Sequence, residues 1–121
     1  MADRTLAELD PVERELLSLG TEDWYQVWYA LSTAKELLPG LSEAALLQRA
    51  KESLRRLVRE GLLRIVLFDY IRNEEVPTTD TFDQLIDHDA MWELATRYKP
   101  HVCFTATEHG EQVYFALPPR E

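Results

Sequence analysis

The sequence predicts an α+β domain in which a three-helix core runs into a β-hairpin split by a partly helical, acidic insertion. Two observations carry that expectation. Apolar residues recur at helical spacing through the first half of the chain, and just past Gly61 the spacing shortens to that of a strand. At 121 residues, the chain has the length of one domain with its own core. The helical core is expected over residues 5–60, the two strands over 62–69 and 101–106, and the insertion over 70–100.

The first helix is marked by Leu6, Leu9, Val12, Leu16, Leu17 and Leu19, which places it over residues 3–19. It begins only at Asp10 if that residue is the N-cap and Pro11 the first helical position, and Gly20 is its expected stop. Thr21 or Asp23 then caps a second helix from Trp24 to about Leu38, with Val27, Trp28, Leu31 and Ala34 along its buried stripe. Pro39-Gly40 interrupts it, and Ser42 caps a third helix over residues 42–60 that ends before Gly61. Leu46, Leu47, Ala50, Leu54, Leu57 and Val58 form the buried stripe of that third helix.

From Leu62 the run Leu-Leu-Arg-Ile-Val-Leu-Phe favours a strand, and Val102, Phe104 and Ala106 share one face of a second strand. A structureless loop of some thirty residues between two strands would be unusual. Phe82, Leu85, Ile86, Met91, Trp92, Leu94 and Ala95 instead predict one or two short helices over residues 80–98. After Thr107 two readings stand: a terminal helix capped by Thr107, or a third strand over 112–117, which Val113, Tyr114 and Phe115 favour.

Composition bounds the function. With one cysteine no internal disulfide is possible, and Cys103, between Val102 and Phe104, reads as a small buried hydrophobe. No apolar run is long enough to span a membrane, and residues 1–10 are too polar for a secretory leader, so a cytoplasmic location is expected. The formal net charge is −9, which opposes any general attraction to nucleic acid. Locally the sign reverses: residues 42–64 hold six basic side chains against three acidic ones.

The order of elements, together with Leu54-Arg55-Arg56-Leu57-Val58-Arg59-Glu60-Gly61-Leu62-Leu63, resembles the winged helix-turn-helix fold of MarR- and PadR-type regulators. Phe104-Thr105-Ala106-Thr107-Glu108-His109-Gly110 is similar to the segment by which those proteins leave the wing. With Trp24 and the acidic insertion, the chain also resembles small actinobacterial proteins. The likeness covers roughly residues 10–70 and 101–117.

The resemblance implies a DNA-binding transcriptional regulator, as a homodimer, that reads double-stranded DNA with the third helix. Gln48, Arg49, Lys51, Arg55, Arg56 and Arg59 are then the residues meeting phosphates and a few base edges. Two features pull the other way. The basic residues crowd the later turns of the helix, whereas base edges are met mainly from its start. The insertion carries seven acidic residues against three basic ones over 72–99, and phosphate repels such a wing. The alternative is a winged-helix protein–protein interaction module that binds no DNA. Its partner-binding surface would be formed by Trp24, Tyr25, Trp28 and Tyr29 of the second helix with Phe82, Leu85, Met91 and Trp92 of the insertion, Trp28, Tyr29, Phe82 and Trp92 above all.

No spacing of nucleophile, acid and base demands an enzyme, and no glycine-rich loop is present to cradle a phosphate. Asp87-His88-Asp89 and the pair His101 and Cys103 fall short of a metal site. No catalytic residue, metal or cofactor is therefore expected.

Overall fold

The computed structural model describes residues 8–87, 92 and 100–116. Their elements are helix α1 (Pro11–Glu22), strand β1 (Tyr25–Gln26), helices α2 (Trp28–Leu37) and α3 (Glu43–Arg59), strands β2 (Leu63–Asp69) and β3 (Glu74–Val76), helix α4 (Phe82–Ile86), strand β4 (His101–Ala106) and helix α5 (Glu108–Phe115). The protein is thus α+β, with five helices and a four-stranded antiparallel sheet of order β1-β4-β2-β3 among the described residues.

Helix α1 starts where Asp10 and Pro11 predict. The Asp10 carboxylate accepts from the Glu13 N–H at 2.8 Å, and Glu13 reaches back to the Asp10 N–H at 3.0 Å, closing a capping box. Gly20 does not stop the helix but lies inside it. A Cβ there would come within 2.8 Å of Leu63 Cδ2 and 2.9 Å of the Ala106 nitrogen, so the missing side chain lets α1 lie directly on the sheet. The part of the expected helix before residue 8 lies outside the described residues.

The second helix is shorter than its stripe suggests, because Tyr25 and Gln26 leave it to pair with Phe104 and Cys103 of β4. Backbone bonding to a neighbouring strand outweighs a local helical pattern at that point, and α2 begins at Trp28. Helix α3 follows expectation: Ser42 accepts from Ala45 N–H at 3.2 Å, and Gly61, at φ +75°, turns the chain into β2.

Strands β2 and β4 pair along six residues, from Leu63 opposite Ala106 to Phe68 opposite His101. The strand pattern overlooks β3, which folds back onto β2 through a tight turn at residues 70–73 with Asn73 at φ +56°. Alternation then separates two faces. Leu63, Ile65, Leu67, Val102, Phe104 and Ala106 join the helices in the main core, with Leu16, Leu17, Leu54 and Leu57 fully buried. Val66, Phe68 and Cys103 form a separate cluster on the other face, covered by Trp24.

Within the insertion, Thr81 and Gln84 close a capping box on α4. The rest of the helical stretch expected up to residue 98 lies outside the described residues, apart from Trp92. Of the two readings after Thr107, the structure has the helix capped by Thr107, α5, and not the third strand over 112–117. The Thr107 hydroxyl accepts from Gly110 N–H at 2.9 Å and donates to the Gly61 carbonyl at 2.5 Å. Gly110 sits so close to the Leu62 carbonyl that a Cβ would meet its oxygen at 2.0 Å. Capping and this close approach outweigh the strand propensity of Val113 and Tyr114.

Candidate functional site

Two surfaces bear on function: the cationic side of α3 and the outer face of the sheet. On α3 the hydrophobic stripe turns Leu46, Ala50, Leu54 and Leu57 inward and carries the cations round the sides of the helix. Arg49 ends on the Asp10 carboxylate at 2.6 Å, so the residue that caps α1 is also tied to α3. Arg56 lies 3.7 Å from Glu13, a carboxylate with no exposure at all. Arg55 donates from Nε to Asp83 at 2.9 Å and from its terminal nitrogen to Asp87, joining α3 to α4. Burial works against its charge, yet the hydrogen bonds to Asp87 and Asp83 prevail and raise its pKa above the ordinary value. Arg59 stands 3.7 Å from Asp83, Lys51 is buried with Nζ 3.9 Å from Asp87, and Gln48 donates to Glu52 at 3.3 Å.

Each residue expected to touch DNA therefore has an internal acceptor. Four of the carboxylates involved come from α1 and its cap, Asp10 and Glu13, and from α4 and its end, Asp83 and Asp87. Helix α4 and Asp87, from the described part of the acidic insertion, lie against the basic helix.

The expected partner-binding residues are partly brought together, Trp28 and Trp92 lining one shallow cavity with Leu31, Ser32 and Lys35. Trp28 stacks on Tyr29 with ring centroids 3.9 Å apart, half-buried, its indole N–H donating to Gln26 at 3.1 Å. Tyr29 is 36% exposed. Phe82 packs half-buried against the core. Trp92 is only 5% exposed and donates its indole N–H to the Ile86 carbonyl at 2.7 Å, which makes it a core residue that holds the insertion in place.

Of the outer face of the sheet, sequence reasoning named only Trp24, as a residue of the second helix. There Trp24 stacks on Phe68 at 5.1 Å, and Tyr70 meets Phe68 edge-on at 4.9 Å. Arg64 extends over Trp24, its guanidinium carbon 5.0 Å from the ring centroid, and reaches Glu75 at 3.0 Å. The Tyr70 hydroxyl donates to the Trp24 carbonyl at 3.0 Å and lies 3.3 Å from Cys103 Sγ. Burial, with the bond to Cys103 second, raises the Tyr70 pKa; burial pushes the Cys103 thiol up to about 11 despite the opposing bond to Tyr70. A shallow cavity of about 590 Å³ opens here between Asp23, Trp24, Phe68, Tyr70 and Glu75. Beside it, at the hairpin turn, Tyr70 and Ile71 are 44% and 78% exposed.

A signal for this face was present. Arg64, Val66 and Phe68 alternate with Leu63, Ile65 and Leu67, so β2 is apolar on both sides, as befits a strand covered on both. Among the described residues no three or more His, Cys, Asp or Glu side chains gather around a metal-sized space, and no helix is long and apolar enough to cross a membrane. No protein-family model, curated protein or solved structure matches the chain.

Proposed function

We propose that the chain is a winged-helix domain acting as a protein-interaction module, with the outer face of the sheet and the β2–β3 turn as its contact surface. The order of elements supports the fold: three helices, Gly61, an antiparallel ribbon, and a short strand between α1 and α2 lying beside β4. A single observation carries the function. The fold ties Arg49 and Arg55 of α3 to its own carboxylates while leaving Tyr70 and Ile71 of the β2–β3 turn exposed. Large aromatic and aliphatic side chains dominate interface energies, whereas phosphate binding needs cations free to release counterions.

The DNA-reading alternative requires Arg49 and Arg55 to exchange internal carboxylates for phosphates, and Lys51 to leave its buried position. The experiment is paired. The immobilised chain, exposed to extract of the source cell, is expected to retain a protein that the Ile71→Ser, Tyr70→Ser double variant does not. The same chain is expected to leave a random duplex unbound at low salt. Retention of duplex with a steep log–log salt dependence would overturn the proposal in favour of DNA reading.

A further inference from the structure

We infer that the cavity between Trp24, Phe68 and Tyr70 is a binding site for a cationic side chain, and that its occupant is an arginine on a basic segment of the partner. The partner itself rests on the interaction reading above; the cation site can be tested without it.

The geometry points to a cation in three ways. Trp24 and Phe68 are inclined by 27° and Tyr70 stands at 70° to Phe68, so the rings form a corner whose faces and edges line one space. Aromatic faces, tryptophan most of all, attract cations through the ring quadrupole. Asp23, Glu74 and Glu75 line the same cavity, adding carboxylates to the rim of an aromatic floor. Finally, the chain already puts a guanidinium there: Arg64, whose head lies over Trp24 and is held by Glu75. Arg64 is exposed and joined to Glu75 by a surface pair of the kind that contributes little, so a competing guanidinium can displace it at small cost. The net charge of −9 favours approach of a basic segment over an acidic one.

A planar guanidinium suits this corner better than an ammonium. It stacks on a ring while donating to a carboxylate at the edge, the arrangement Arg64 shows with Trp24 and Glu75. The apolar stem of the incoming arginine would then cover the exposed side of Tyr70.

The test follows the indole N–H resonance of Trp24 in the full chain, titrated with N-acetyl-arginine methylamide and with its neutral counterpart N-acetyl-norleucine methylamide. A saturable shift with the arginine probe alone is expected, and Arg64→Gln, which removes the resident cation, should tighten that probe by about threefold. Trp24→Leu should abolish the response, read from the remaining indoles and the Tyr70 ring. Equal shifts with both probes, or no shift with either in wild type and in Arg64→Gln, would overturn the cation site. If Ile71-dependent capture of a partner persists in that case, the interaction reading survives without it. If capture is lost while the probe still binds, the reverse holds.

Discussion

Along α3 the side chains of Arg49, Lys51, Arg55, Arg56 and Arg59 each approach a carboxylate supplied by another element, whereas on the outer face of the sheet Trp24, Phe68 and Tyr70 pack on one another under Arg64, with Tyr70 exposed. On sequence alone the helix reads as a binding surface. In space Arg49 and Arg55 fasten α3 to the cap of α1 and to α4, and on the outer face of the sheet Tyr70 stays exposed. A cluster of like charges in a chain of opposite net charge is as readily an internal fastening as a binding surface, and the position of the acids decides which.

If the α3 cations are fastenings, removing one should cost stability in proportion to its burial. Arg55 has a side chain only 17% exposed and serves two carboxylates, so Arg55→Ala is expected to lose about 1.5 kcal/mol as its charge-assisted hydrogen bonds to the half-exposed Asp83 and Asp87 are lost. Arg59, 61% exposed and 3.7 Å from Asp83, should lose less than about 0.5 kcal/mol as Arg59→Ala. Urea unfolding midpoints compare the two directly, and equal losses would remove burial as the deciding factor.

The outer face should answer to pH instead. Burial lifts the Cys103 thiol from an ordinary 9.0 to about 11, so the folded chain holds this proton more tightly than the unfolded one. The contribution is whole below pH 9 and declines as pH rises towards 11, because only the unfolded state releases the proton in that window. The loss should reach about 2 kcal/mol relative to Cys103→Val, whose stability lacks this dependence. Parallel stability curves for wild type and variant across that window would contradict a buried thiol beneath Tyr70.

Tyr70→Phe probes the same contact at smaller cost. It removes the hydroxyl that bonds the Trp24 carbonyl and lies against Cys103, at about 1 kcal/mol, and leaves the ring on Phe68. Thermal unfolding should fall by a few degrees, while alkylation of Cys103 in the folded chain should become slower, because the bond that favours the thiolate is gone and the ring still covers it. An unchanged alkylation rate would mean that the Tyr70 hydroxyl does not act on the thiol.

How much of this was legible follows from where the deciding interactions lie along the chain. Asp10-Pro11, Ser42 and Gly61 decide helix ends through neighbours in sequence, and those ends were predictable to a residue or two. Tyr25 and Gln26 are strand residues only because Phe104 and Cys103 lie beside them, nearly eighty positions away, which no local pattern carries. Thr107 to Phe115 held both signals, cap and strand propensity, and the choice rested on the packing of Gly110 against the Leu62 carbonyl. The same limit governs the site. Arg55 announces a charge, but its meeting with Asp83 and Asp87 depends on where the insertion folds. Period-2 alternation in β2 does give both faces as apolar, and reading it would have located Phe68, though not Trp24 above it.

The smallest stability effect is the sharpest test of the comparison. Ile71 is 78% exposed in the β2–β3 turn, where its N–H bonds the Asp69 carboxylate at 2.9 Å and its side chain contributes little to either cluster. Ile71→Ser keeps that backbone bond, so the unfolding midpoint should move by less than about 0.5 kcal/mol. A solvated isoleucine beside a half-covered aromatic corner costs the free chain some solubility, and a bound partner recovers that cost by covering it. The variant should therefore stay as stable as wild type yet lose retention of the partner. A stable variant that retains the partner undiminished would mean that the turn is only a turn, and the contact surface would have to be sought on α2, around Trp28 and Tyr29.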